Sequence, residues 1–162
     1  MKNQMSDTIT LFTGLTDEEV AKLESYMEPK RFAPLEAIFL EEMEGNAIYL
    51  VKEGTVKISK IADSEDGGEN SEAEKVMTYF KSGDIFGEMS FIDNLPRSAS
   101  AYAVEDCQLY IFKRSAFERM IEEDPKFAIK VLLNISKIIS QRLRRADEIL
   151  IYLATQLDVY FT

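Results

Sequence analysis

Hydrophobic spacing divides the chain into three stretches. From Thr16 the apolar residues Val20, Leu23 and Met27 recur at helical spacing behind Asp17-Glu18-Glu19. Thr16 with Glu19 three residues on has the form of a capping box, so the spacing predicts a short amphipathic helix over 16–28. Just before it, Leu11, Phe12, Gly14 and Leu15 read as a lead-in segment whose apolar side chains tuck against the body of the protein. From Arg31 the period shortens. FAPLEAIFL, NAIYLVKEG, TVKISKI, KVMTYF, SASAYAVED and CQLYIF are short β-branched or aromatic runs separated by Gly, Pro, Asp and Asn, the pattern of an all-β barrel or sandwich. Lys52-Glu53-Gly54 reads as a hairpin turn, and Val56 and Ile58 alternate with Lys57, Ser59 and Lys60 as in a strand with one solvated face. Between them and the next strand, residues 62–75 are acidic, contain glycine and lack an apolar anchor, which predicts a mobile loop.

After Phe112 the helical period returns. Ser115-Ala116-Phe117 opens a short helix that stops near Asp124-Pro125, since proline disfavours helical geometry in the residue before it. A long helix follows. From Phe127 onward its seam runs Ile139, Leu143, Ala146, Leu150, Leu153, Leu157 and Tyr160, at alternating spacings of four and three, as in a coiled coil. Val131, Ile135, Ile138, Ile149 and Tyr152 lie off the seam and leave enough apolar surface to touch both the barrel and a partner.

Composition narrows the chemistry. At 162 residues, 46% of them hydrophobic, the chain suits one domain with an appended helix. A net charge of −10 argues against nucleic-acid phosphate as a direct partner. Histidine is absent, which removes histidine-based metal sites and Ser-His or Cys-His catalysis, and no phosphate loop of the GxxxxGK type occurs. The adjacent carboxylates Glu41-Glu42 and Glu122-Glu123 read as solvated charge rather than a catalytic pair. These exclusions leave little room for an enzyme. The single cysteine, Cys107, falls in a strand-like run and reads as buried, consistent with a cytoplasmic protein. The first ten residues hold no apolar signal core, and no run is long and apolar enough to span a membrane.

One stretch carries positive chemistry. Lys81 to Ala101 reads KSGDIFGEMSFIDNLPRSASA, with Gly87-Glu88 followed nine positions later by Arg97-Ser98. Gly87 allows the backbone to approach a ligand closely, and Glu88-Met89-Ser90-Phe91-Ile92 can begin a helix whose free N–H groups favour an anion. Arg97 offers a planar cationic fork suited to phosphate oxygens, with Ser98 as a small donor beside it. A carboxylate at Glu88 repels phosphate unless it accepts hydroxyl hydrogens from the same ligand. A ribose phosphate has both groups.

The string closely resembles the phosphate-binding cassette of the cyclic-nucleotide-binding domain family, known from catabolite activator proteins and protein kinase A regulatory subunits. The matching positions are Phe86, Gly87, Glu88, Met89, Ile92, Pro96, Arg97, Ser98 and Ala99. The resemblance implies a jelly-roll (double-stranded β-helix) barrel, mainly β with flanking helices, formed by residues 1–126 with the N-terminal helix. The long C-terminal helix, 127–162, belongs to the same module and dimerises through 127–160. The resemblance also implies a regulatory sensor for cyclic AMP, with cyclic GMP as the other candidate, bound by Phe86, Gly87, Glu88, Met89, Arg97, Ser98 and Ala99, without metal or catalysis. In catabolite activator proteins a Thr-Ser pair on the matching helix contacts the base. Here Ala146 and Asp147 stand there, after Arg142, Arg144 and Arg145, so Arg145 and Asp147 are the candidates for base contact. Two turns depart from the family: Pro34-Leu35-Glu36 replaces Pro-Gly-Glu and Glu42-Met43-Glu44 replaces an acid-Gly-Asp turn, with Gly45 next, so both turns are expected to be rebuilt. No output domain follows, which makes the chain a stand-alone sensor or a fragment with an unknown output partner. The alternative is a protein-interaction or scaffold module that keeps the fold and binds no nucleotide.

Overall fold

The computed structural model describes residues 10–63 and 72–160. In chain order the elements are α1 (Asp17–Ser25), β1 (Glu28–Phe32), β2 (Ala37–Phe39), β3 (Ala47–Glu53), β4 (Val56–Asp63), β5 (Glu72–Phe80), β6 (Ile85–Phe86), α2 (Glu88–Asp93), β7 (Ser100–Ala103), β8 (Cys107–Lys113), α3 (Arg114–Glu123) and α4 (Pro125–Tyr160). The strands form two antiparallel four-stranded sheets, ordered β1-β8-β3-β6 and β2-β7-β4-β5. This is the jelly-roll architecture expected, with helices flanking it.

Two cores hold it. Phe32, Val51, Val56, Phe86, Ala101, Ala103, Cys107 and Leu109 fill the space between the sheets. On the outer face of the first sheet, Ile48, Leu50 and Phe112 meet Leu11, Leu23, Met120, Phe127, Val131 and Ile135 from the helices and lead-in segment. β3 is therefore covered on both faces, which accounts for its near-continuous apolar run AIYLV. Cys107 is buried, its thiol donating to the Thr55 carbonyl, and burial pushes its pKa up.

The helix ends follow local chemistry. Thr16 caps α1, accepting from the Glu19 N–H while the Glu19 carboxylate accepts from the Thr16 N–H. The helix stops at Ser25, earlier than its apolar spacing suggested, because Met27 enters the core as the chain straightens into β1. Pro125 occupies the first position of α4, where its missing N–H costs nothing, and the Asp124 carboxylate accepts from the Phe127 N–H at 3.1 Å.

Three expectations are corrected. Lys52-Glu53-Gly54 is not a hairpin: β3 pairs with β6 and β8, and β4 with β5 and β7, so the turn is a corner between sheets. Gly54 has φ 90°, and a Cβ there would lie 2.7 Å from both the Asp106 carbonyl and Cys107 Sγ. The chain crosses over the β7–β8 turn at that point, which leaves no room for a side chain. Second, the alternation in β4 breaks at a bulge between Ile58 and Ser59, which turns Ser59 inward and Ile61 out. Buried Ser59 then donates to the Glu74 carboxylate. Third, β4 and β5 extend into the predicted loop, pairing as far as Asp63 with Glu72; the rest of that loop lies outside the described residues.

The two departing turns keep glycine-like backbones without glycine. Leu35 has φ 67° and Glu42 has φ 66°. At the first, paired bonds from Leu35 N–H to the Ala103 carbonyl and from Ala103 N–H to the Glu36 carbonyl hold the left-handed residue in place.

Candidate functional site

The cassette is closed by its own hydrogen bonds. β6 delivers the chain to Gly87, which has φ 78° and precedes α2. A Cβ at Gly87 would lie 2.6 Å from Arg97 Nη1, so glycine is required by conformation and by space together. At the other end of α2, Asn94 takes φ 65° and its N–H donates to the Ser90 carbonyl. The Ser90 hydroxyl donates to the Pro96 carbonyl, bringing the chain back on itself. The preceding loop then locks Arg97: Glu42 N–H donates to the Arg97 carbonyl at 2.9 Å and Arg97 N–H to the Met43 carbonyl at 2.8 Å.

Arg97 is only 3% exposed. Its Nη1 donates to the Gly87 carbonyl at 2.8 Å, its Nη2 to the Ala47 carbonyl at 2.9 Å, and its guanidinium lies 4.2 Å from the centre of the Phe39 ring. Nε is buried without a partner among the described residues. Burial holds the guanidinium below its ordinary pKa, and a buried, incompletely satisfied cation stands to gain from an anion beside it.

Glu88, 7% exposed, is the buried carboxylate of α2. It pairs with Arg142 of α4, Oε1 to Nη1 at 2.8 Å. Arg142 also donates through Nη2 to the Ile85 carbonyl, and its guanidinium lies 4.6 Å from the centre of the Phe80 ring. One side chain therefore ties the long helix to β6, β5 and the cassette.

Phe86, Gly87, Glu88, Met89, Arg97, Ser98 and Ala99 all line one pocket of about 250 Å³. Sequence reasoning did not assign the rest of the wall: Phe39 from β2, Ile58 from β4, Met77, Thr78 and Phe80 from β5, Ser90 from α2, and Arg142. Arg145 and Asp147 lie on an exposed part of α4 and do not line the pocket within one chain. A signal for Arg142 existed. Val131, Ile135 and Ile138 are buried at helical spacing, and Arg142 takes the next position on that stripe. The pocket thus combines a buried guanidinium, a buried carboxylate and an apolar wall. No group of three or more Cys, Asp or Glu among the described residues could hold a metal.

Comparison with known proteins gives the family and the fold. A family model for the cyclic nucleotide-binding domain matches residues 29–124. The cyclic AMP receptor protein of Thermus thermophilus is 35% identical over 137 residues, covering 85% of this chain and 58% of that protein. The chain therefore spans little more than half the length of that relative. The crystal structure of the Thermus thermophilus catabolite activator protein superposes with a TM-score of 0.73 at 35% identity, covering 89% of this chain and 62% of that one. A cyclic nucleotide-binding domain from Methylobacillus flagellatus gives a TM-score of 0.74 at 31% identity, covering 88% of this chain and 76% of that one.

Proposed function

Because the chain belongs to the cyclic nucleotide-binding domain family, we propose that it is a regulatory module that binds cyclic AMP in the cassette pocket and answers through α4. The observation that carries this is the convergence of Glu88 and Arg97 on one pocket of about 250 Å³. The Glu88 carboxylate accepts the ribose hydroxyl, while Arg97, Ser98 and the backbone at Gly87 hold the cyclic phosphate. The base lies against the apolar wall of Ile58, Met77 and Phe80. In this proposal that wall takes the place of Arg145 and Asp147 at the base end.

The barrel through residue 126 and the helix from 127 act as one module. Leu143, Leu150 and Leu153 are exposed along the coiled-coil seam, which supports a parallel homodimer through α4. Ligand binding shifts a two-state arrangement of cassette and helix, and an output protein reads the helix. The module performs no catalysis, binds no nucleic acid itself and works in the cytoplasm. The free, buried Cys107 is in keeping with that compartment, and no helix among the described residues is long and apolar enough to cross a membrane.

Calorimetric titration with cyclic AMP and cyclic GMP tests the reading. Saturable heat and thermal stabilisation with cyclic AMP are expected. No heat and no stabilisation with either nucleotide at millimolar concentration would overturn it. A second reading, a scaffold that binds a protein and no nucleotide, draws on the internal partners that Glu88 and Arg97 already have. The same silent titration is the result it requires.

A further inference from the structure

The seam through Leu143, Ala146, Leu150 and Leu153 sets a heptad register on α4. With Leu143 at position a and Ala146 at d, Arg142 falls at g and Asp147 at e. In a parallel pair of helices these two positions flank the seam and form ion pairs between chains, g of one helix facing the e residue that follows on the other. A pair of α4 helices in this register brings Asp147 of the second copy opposite Arg142.

Within one chain the two residues differ in kind. Arg142 turns toward its own barrel and is held by Glu88 and the Ile85 carbonyl. Asp147 is exposed and makes no ion pair among the described residues. A single acceptor, Glu88, therefore serves both the helix and the pocket. Hydroxyl donors of a ligand compete with the guanidinium for that carboxylate, and a released guanidinium next to the seam has one carboxylate opposite it.

Resting on the cyclic-nucleotide and paired-helix reading above, we propose that Asp147 of the second copy is the alternative partner of Arg142. Occupation of Glu88 by ligand hands Arg142 from its own cassette to the neighbouring helix. The exchange occurs twice in a symmetric dimer. By reciprocity, whatever factor the ligand adds to helix pairing, pairing adds to ligand affinity. The device needs no movement of the barrel, only a change of partner by one side chain.

The test is the dimer dissociation constant by sedimentation velocity, with and without saturating cyclic AMP. It is measured for the wild type, Asp147→Asn, which keeps the shape and removes the charge, and Asp147→Glu. Cyclic AMP is expected to tighten the wild-type dimer. Asp147→Asn should weaken the ligand-bound dimer roughly 2- to 30-fold, the range of two exposed ion pairs, and leave the ligand-free dimer nearly unchanged. Asp147→Glu should retain most of the tightening. Equal weakening with and without ligand would make Asp147 an ordinary helix contact and overturn the proposal. An unchanged ligand-bound dimer would overturn it too, since Arg142 then stays on Glu88. A wild type that binds cyclic AMP calorimetrically without any tightening of the dimer defeats this proposal alone. A wild type that binds no cyclic AMP defeats the underlying reading with it.

Discussion

The cassette and the distal half of α4 come from one chain and are built in opposite ways. Around Arg97 the chain supplies its own framework: two carbonyls receive its guanidinium, the 42–43 loop brackets its backbone, and its exposure is 3%, with Nε left as a buried atom without a partner among the described residues. Along α4, Leu150 is 63% exposed and Leu153 51%. The first region is over-determined by its own fold, so its geometry is set before any ligand arrives. The second leaves its apolar seam exposed, which in the proposed dimer is where the partner helix lies. A sensor requires both kinds of region, one to recognise and one to respond, and Arg142 is where they touch.

The sharpest way to break this contrast is on the helix. Leu150→Asp with Leu153→Asp should weaken dimerisation at least 1,000-fold, about 4 kcal/mol or more for four apolar side chains replaced by charge, as read by sedimentation equilibrium. The urea midpoint of the dilute monomer should hardly move, because both leucines are exposed and belong to neither core. A collapse of the monomer would show that the helix was not waiting for a partner.

In the cassette the expectation reverses. Arg97→Ala should lower cyclic AMP affinity by about 2–4 kcal/mol, roughly 30- to 1,000-fold, since it removes a buried cation and its hydrogen bonds. Lys113→Ala, which removes only the exposed pair with Glu28, should change affinity less than about 2-fold. Similar losses in titrations of the two variants would mean that Arg97 does not face the phosphate.

A smaller effect concerns backbone strain away from both regions. Leu35 is 83% exposed at φ 67°, a left-handed conformation that costs a side-chain-bearing residue about 1–2 kcal/mol. Leu35→Gly should therefore raise the urea-derived stability by about 0.5–1 kcal/mol, part of the gain being lost to the greater freedom of glycine in the unfolded chain. Ligand affinity should stay constant.

The smallest effect is a pH dependence of the clasp that holds α1. The hydrogen bond from Lys130 keeps the Glu19 pKa below its ordinary value, and that from Lys22 does the same for Asp124. Folded-state pKa values that are lowered contribute stability above the ordinary carboxylate range, and that stability is lost as pH falls through the lowered values. Hydrogen-exchange protection factors in α1, taken relative to the intrinsic rate at each pH, should therefore fall below about pH 4, and less so in Glu19→Gln with Asp124→Asn. Exchange in the strands around Arg97 should not follow it.

Much of the fold was legible because its causes are local. Capping at Thr16, the proline start of α4 and the period-two runs of the strands depend on residues a few positions apart. The cassette was legible for the same reason, as its glycine, carboxylate and arginine all fall within one contiguous string. What escaped was set by contacts between distant segments. The corner at Gly54 depends on Asp106 and Cys107, and the bulge at Ser59 on Glu74. The two short strands that begin and close the first sheet, β1 and β6, contain no strong strand pattern, and they exist because β8 and β3 offer them edges.

The amino-acid sequence by itself determined the end of the pocket formed by Gly87, Glu88 and Arg97, since these residues carry their chemistry in residue type and spacing alone. Only the tertiary structure decided which residue of α4 closes the pocket. Helical spacing names a face but not how far along that face the barrel extends. The sheets end level with Arg142, so that arginine reaches Glu88, while Arg145 and Asp147, less than one and a half turns further on, lie beyond the barrel in the open.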